Sequence, residues 1–311
     1  MSIHDKEFSI VIIPDTQVLP WKQPSIYQNL TKWIKDHAEE LNLQMVLHVG
    51  DVVDTGERDE AQFKVAEKAF EEIYNTNIPM LMAVGNHDYD NLLAEDRSLK
   101  MFNKYFGLHR YENCPWFGGT FEEGQIENSY ATLDIGGRSF LFLSLEFGPR
   151  DDVLRWADEI LTKYSNHTAI IISHCYMYMY GERTKEGDQH NPKDYPGATG
   201  ANDGEDMWQK SFKKHSNLLA VFSGHHITEN VSYRMDVGDN GNQVFQSFQN
   251  WQYAENGGEG RIRILKIRPS DNEMNLCVFN THTGEYEGND GYRVTVPFKT
   301  TTSRLRIMKE V

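Results

Sequence analysis

Five short segments carry side chains that could bind divalent cations: Asp15-Thr16-Gln17, Gly50-Asp51-Val52-Val53-Asp54, Gly85-Asn86-His87-Asp88, His174, and Gly224-His225-His226. An apolar run precedes each, at residues 10–13, 45–49, 78–83, 169–173 and 218–223. Such runs read as buried strands, and the carboxyl ends of strands in an open α/β sheet are where sites are built. Carboxylates, amides and imidazoles arriving from five strand ends form a metal site made of loops. The number of donors suits a dinuclear centre, in which a carboxylate can offer one oxygen to each ion. The mixed oxygen and nitrogen set fits Mn, Fe or Zn better than Ca.

The elements between these loops must bring them to one end of a sheet. Residues 25–41 place Ile26, Leu30, Trp33, Ile34 and Leu41 at helical spacing, and 59–74 do the same with Phe63, Ala66, Phe70 and Ile73. Strand–helix alternation of this kind predicts parallel pairing with right-handed crossovers. Residues 129–135 and 139–145 read as a hairpin around Gly136-Gly137, followed by a helix over 151–164. From residue 218 the pattern turns to strands, at 229–237, 243–249, 261–267, 275–281 and 292–296. The expectation is a single domain over 1–311, with two mixed sheets face to face and helices outside. Residues 181–204 are long, polar and rich in Gly, Pro, Asn and Asp, the mark of a functional or disordered loop.

Composition narrows the partners. Hydrophobic residues make up 39% and aromatics 12%, enough for a large core. The net charge of −15, from 46 acidic and 31 basic residues, disfavours a nucleic-acid backbone as partner. Cys114, Cys175 and Cys277 show no CxxC spacing, and their odd number gives no disulfide framework. No stretch is long and apolar enough to span a membrane, and the Met1–Lys6 start lacks a leader's apolar region. The expected location is cytoplasmic, or secreted if a leader has been removed.

Taken in order, the five segments resemble the calcineurin-like metallophosphoesterase superfamily, whose pattern is D-x-H, G-D-x-x-D, G-N-H-[D/E], a lone His, and G-H-x-H. The resemblance runs over residues 10–227. Pro14-Asp15-Thr16-Gln17, Leu145-Glu146-Phe147-Gly148-Pro149-Arg150-Asp151 and Asn250-Trp251-Gln252 are further similar to a subgroup common among bacterial and secreted proteins of undefined substrate. The resemblance implies an α/β fold, a four-layer αββα sandwich. It also implies a metal-dependent phosphoester hydrolase, in which a hydroxide held by two divalent ions (Mn, Fe or Zn) attacks in line. Asp15 and Gln17 would serve the first ion, Asp51 would bridge, and Asn86, His174 and His225 would complete the second. His87 would stabilise or protonate the leaving oxygen, with Asp88 orienting its ring.

Two departures stand out: Gln17 and Ile227 occupy positions where the family has histidines that serve the first ion. That site should be oxygen-rich, weaker and more exchangeable. His226 should point elsewhere. His48 reads as packing beside the site, Asp54 as holding the Asp51 loop, and Cys175 as buried packing. Arg150 and Glu146, at the end of the 139–145 strand, could contact substrate phosphate or form an ordinary ion pair with the helix that begins at Asp151. The 176–180 run, Tyr-Met-Tyr-Met-Tyr, could line a cleft or stabilise an exposed loop. The expected substrate is a small-molecule, lipid or sugar phosphoester. A diester is favoured, because only Arg150 and Arg183 could clamp a dianion. The alternatives are a non-catalytic metal- or phosphoester-binding protein, a phosphomonoesterase, or a nuclease.

Overall fold

A computed structural model describes residues 6–289 and 291–298. Residues 1–5, which hold most of the Met1–Lys6 segment, lie outside the described residues, as do 299–311 at the far boundary of the expected domain. The strands are β1 Phe8–Ile13, β2 Leu43–His48, β3 Met80–Met82, β4 Phe117–Thr120, β5 Ser129–Ile135, β6 Arg138–Leu145 and β7 Thr168–Ser173. They continue with β8 Leu218–Ser223, β9 Asn230–Val237, β10 Gln243–Asn250, β11 Arg261–Arg268, β12 Glu273–Asn280, β13 Glu285–Tyr286 and β14 Val294–Pro297. One sheet has the order β13-β12-β11-β1-β2-β3, with β14 also on β12; the other has β4-β5-β6-β7-β8-β10-β9. This is the mixed α/β, four-layer αββα sandwich that the resemblance implied and the order of elements permitted.

Alternation along β6 assigns the layers. Phe140 and Phe142 point into the space between the sheets, where Phe140 meets Phe8 edge-on with ring centroids 5.5 Å apart. Leu141, Leu143 and Leu145 point the other way, onto Val153, Leu154 and Leu161 of helix Asp151–Lys163. Helices Pro24–Asp36 and Glu60–Tyr74 cover the first sheet. The first of these is shorter than its apolar spacing predicted, since the His37 ring hydrogen-bonds the Trp33 carbonyl and the chain turns there. The helices Lys100–Phe106 and Gly204–Lys210 and strand β4 were not anticipated. Among the described residues, no helix is long and apolar enough to cross a membrane.

Register is what brings the loops together. Ile13 pairs with His48 and His48 with Met82, both parallel, so β1, β2 and β3 end level. In the second sheet Leu145 pairs with Ser173, and Phe248 with Ser223, again parallel. The two level edges face each other, linked where the Ser144 hydroxyl donates to the Met82 carbonyl at 2.8 Å.

Candidate metal centre

Asp15 and Asp51 meet at the junction of the level edges, each nearly inaccessible to solvent. One oxygen of each accepts a backbone N–H: Asp15 Oδ1 from His225 at 2.9 Å, and Asp51 Oδ1 from His87 at 3.0 Å. His174 joins them, with Nε2 3.2 Å from Asp51 Oδ2 and 3.7 Å from Asp15 Oδ1, though without hydrogen-bonding alignment. Its Nδ1–H donates to the Val49 carbonyl at 2.9 Å, which leaves Nε2 facing the carboxylates, where a bound cation would replace the Nε2 proton. Burial pushes the His174 imidazole down, but Asp51 and Asp15 outweigh it and hold it up at about 9. Burial pushes Asp15 up to about 7.

Glycines make this convergence possible. A Cβ on Gly85 would lie 2.1 Å from Asp51 Oδ1, and one on Gly224 would lie 2.0 Å from Asp15 Oδ2. Each carboxylate is therefore backed by a residue that no side chain can replace. Asp51 and His225 themselves hold left-handed φ of 56° and 80°, unusual for non-glycine residues and frequent where backbone strain aims a functional group.

The donor set fits divalent cations. Asp15 Oδ2, Gln17 Oε1, Asn86 Oδ1 and His174 Nε2 are all buried with no hydrogen-bond partner. An unmet buried acceptor costs about 1–3 kcal/mol, and cations would satisfy all four. Gln17 is aimed by its own amide, whose Nε2 donates to Asp54 Oδ1 at 3.2 Å. His225 uses Nε2 to donate to the His190 carbonyl at 2.8 Å, which leaves Nδ1 with its lone pair. Its ring centroid lies 5.0 Å from that of His174, and burial first, then the neighbouring His226 and His174, push it well down.

Other residues fall outside this set. His226 Nε2 lies 3.2 Å from Thr184 Oγ1 and 3.6 Å from Cys175 Sγ, close enough for Cys175, His225 and His226 to form a second tight group. Burial pushes the Cys175 thiol far up, so it stays protonated. His48 accepts the Gly50 N–H on Nδ1 and donates from Nε2 to Thr16 Oγ1 at 3.0 Å, so it braces the two loops.

One expectation needs correction, and two readings left open are narrowed. Asp88 does not touch the His87 ring; both its oxygens are taken by backbone N–H groups of Val52, Val53 and Gly85. The His87 ring is set by Asp54, whose carbonyl accepts Nδ1–H at 2.6 Å. Arg150 is absent from the cleft lining, because Glu146 and Glu122 hold its guanidinium. The 176–180 run is likewise absent from the cleft: Tyr176 and Met177 are buried against the second sheet, where the Tyr176 hydroxyl donates to Gln246.

A cleft of about 370 Å³ opens over Asp51, Asn86, His87 and His225. Its walls include residues that the sequence patterns did not single out: Arg58, and His190 and Tyr195 from the long polar loop, which folds over the site. That loop's length and polarity were the available signal. Gln252 also lines the cleft, its amide oxygen and backbone N–H both bonded to Asn250, which in turn donates to the His226 carbonyl.

Residues 8–229 match the family of calcineurin-like phosphoesterases. The chain is 26% identical over 291 residues to the uncharacterized protein YvnB of Bacillus subtilis (strain 168), a match covering 92% of this chain and 21% of YvnB. The chain thus spans about a fifth of the length of that curated relative. Among solved structures it is similar to a dimetal phosphatase from Danio rerio (TM-score 0.60, 11% identity, 94% of this chain and 99% of that one). It is also similar to the purple acid phosphatase PPD1 of yellow lupin, Lupinus luteus (TM-score 0.57, 14% identity, 96% of this chain and 55% of that one). A third likeness is to GAP50, the anchor in the inner membrane complex of Plasmodium (TM-score 0.51, 11% identity, 95% and 90%). At these identities the structural likenesses speak to the fold alone.

Proposed function

Since the chain belongs to the calcineurin-like phosphoesterase family, we propose that it is a metal-dependent hydrolase of phosphoesters, with a phosphodiester as preferred substrate and two divalent ions as cofactors. The observation that carries this is the tight buried group of Asp15, Asp51 and His174, with polar atoms left unmet on Asp15 and His174 and on Gln17 and Asn86 of the same loops. Asp51, grouped with Asp15 and 3.2 Å from His174 Nε2, would bridge. Asp15 and Gln17 would hold the first ion; Asn86, His174 and His225 would hold the second. Bound ions would supply the charge that activates water and steadies the phosphoryl oxygens.

The chain's own residues do the rest. His87 has Nδ1 committed to the Asp54 carbonyl, so Nε2 is the nitrogen left to give a proton to the leaving oxygen. Without ions, burial pushes the His87 imidazole down, but Asp51 and the Asp54 carbonyl outweigh it and hold it above its ordinary value; bound ions would offset the share due to Asp51. Ile227 stands half exposed on the cleft wall and offers no ligand, so the first ion relies on oxygen. This favours a second reading, a binding protein with a depleted first site.

One experiment separates the two. The chain would be stripped with chelator, reloaded separately with Mn, Fe, Zn, Ni or Mg, and tested on aryl phosphomonoesters and phosphodiesters, with metal content measured in parallel. Hydrolysis restored by metal, and both ions lost together in Asp51→Asn, is the expected result. Metal binding without hydrolysis of any ester would favour the binding protein. Full occupancy and unchanged turnover in Asp51→Asn would remove the bridging role.

A further inference from the structure

Eight large apolar side chains are strongly exposed among the described residues, and three of them, Leu93, Ile227 and Tyr253, line the one cleft over the candidate centre. They are 67%, 49% and 56% exposed, so an apolar rim surrounds a floor of carboxylates and imidazoles. Gathered apolar exposure of this kind marks a surface that something covers.

The charges in the wall are unequal in their freedom. Asp90 is taken by Ser98 and by the N–H groups of Lys100 and Met101, and Asp54 accepts from Gln17. Arg58 ends the short turn Gly56–Arg58, is exposed, and makes no side-chain hydrogen bond or ion pair among the described residues. It is the cleft's one guanidinium, with no ammonium beside it. Arg97, Arg150 and Arg183 are by contrast tied to Glu146, Glu122, Glu205 and Asp236. Beyond the ions that would steady the phosphoryl oxygens, the cleft wall thus offers one guanidinium and no second one for the extra charge of a dianion. Room for two ester groups is also present: a neighbouring hollow of about 200 Å³ shares Gln252 and Tyr253 with the cleft and is also lined by Lys22, whose ammonium lies over the Trp21 ring.

We propose that the cleft takes a phosphodiester monoanion bearing an apolar or aromatic alcohol, which packs on Leu93, Ile227 and Tyr253 while Arg58 pairs with the phosphate. This rests on the hydrolase reading above, and refines it.

The test uses the Mn-loaded chain and p-nitrophenyl phosphodiesters whose second ester is methyl, butyl or phenyl, alongside p-nitrophenyl phosphate. The leaving group is constant, so differences report the second substituent. Specificity, kcat/KM, should rise from methyl to butyl by up to about fourfold per buried methylene, and phenyl should exceed methyl. Leu93→Ser and Tyr253→Ser should flatten the series. Arg58→Ala should raise KM for the diesters about tenfold, as expected for loss of a charge-assisted contact, with kcat retained and Arg58→Lys recovering part of the loss. A flat series, a preference for the monoester, or an unchanged KM in Arg58→Ala would overturn the inference while leaving the hydrolase reading intact. No turnover of any ester with any ion would remove both.

Discussion

Replacing Asp88 by alanine should loosen the centre without removing any of its ligands. Asp88 is fully buried, with Oδ1 accepting from Val52 at 2.8 Å and Val53 at 3.2 Å, and Oδ2 accepting from Gly85 at 2.8 Å. It thereby ties the loop after β2, which carries Asp51, to the loop after β3, which carries Asn86 and His87. Burial and the Asp51 charge push Asp88 up to about 7, against the Gly85 and Val53 amides and His174, which hold it down. The comparison therefore belongs at pH 8, where the carboxylate is ionised, and in chelator, so that ion loss does not enter. Alanine leaves three buried amides unmet at about 1–3 kcal/mol each. Relief from burying a carboxylate and entry of water offset part of this, leaving a net loss of roughly 2–5 kcal/mol. With a urea dependence of about 3 kcal/mol per molar, the unfolding midpoint should fall by about 1 M. Asp88→Asn keeps the oxygen that serves Val52 and Val53 but turns an NH2 on the Gly85 N–H, so it should fall between wild type and alanine. Urea unfolding followed by tryptophan fluorescence measures all three. Equal midpoints, or asparagine below alanine, would refute the three-amide account.

His87→Ala should lower turnover by about 10²–10⁴-fold with metal content unchanged; the loss should be larger for an alkyl than for a nitrophenyl ester, and equal losses would exclude its role as an acid. Gln17→His should tighten the weaker ion by about 10-fold or more, because one ring nitrogen could face the site while the other takes over the hydrogen bond to Asp54; calorimetric titration showing unchanged affinity would count against it. Glu127 is pushed up from 4.5 to about 7, chiefly by burial. Its folded pKa exceeds its unfolded one, so the stability it contributes is full below about 4.5 and is lost as pH rises through 7. Glu127→Gln should therefore match wild type near pH 4 and exceed it at pH 8, by at most about 3 kcal/mol; thermal melts with no pH-dependent gap would contradict this.

The strand ends were legible in the sequence because each apolar run stops at a residue that cannot be buried without a partner. Asp15, Asp51 and His174 arrive within reach of one another for that reason. What the pattern could not reveal is carried by backbone. The orienting group of His87 is the Asp54 carbonyl, and any residue at that position would present a carbonyl. Asp88 looked like a partner for His87 by adjacency, yet three N–H groups from two loops claim it. Arg58, His190 and Tyr195 reach the cleft through turns and a long loop with no periodicity to read. Helix Lys100–Phe106 did carry a signal, in Phe102, Tyr105 and Phe106 at helical spacing, but it is only seven residues long.

The His190 carbonyl has a consequence beyond closing a loop over a cleft. Imidazole has two neutral tautomers, and a backbone oxygen fixed against Nε2 selects the one whose Nδ1 lone pair is free. Loop and coordination are then linked, since whatever stabilises the position of His190 raises the share of His225 able to accept a cation, and a bound cation returns the same free energy to the loop. Changes to residues around 190 that never approach the cleft could thus alter the apparent affinity for metal. Loading the site should in turn slow proteolytic cutting within 181–203.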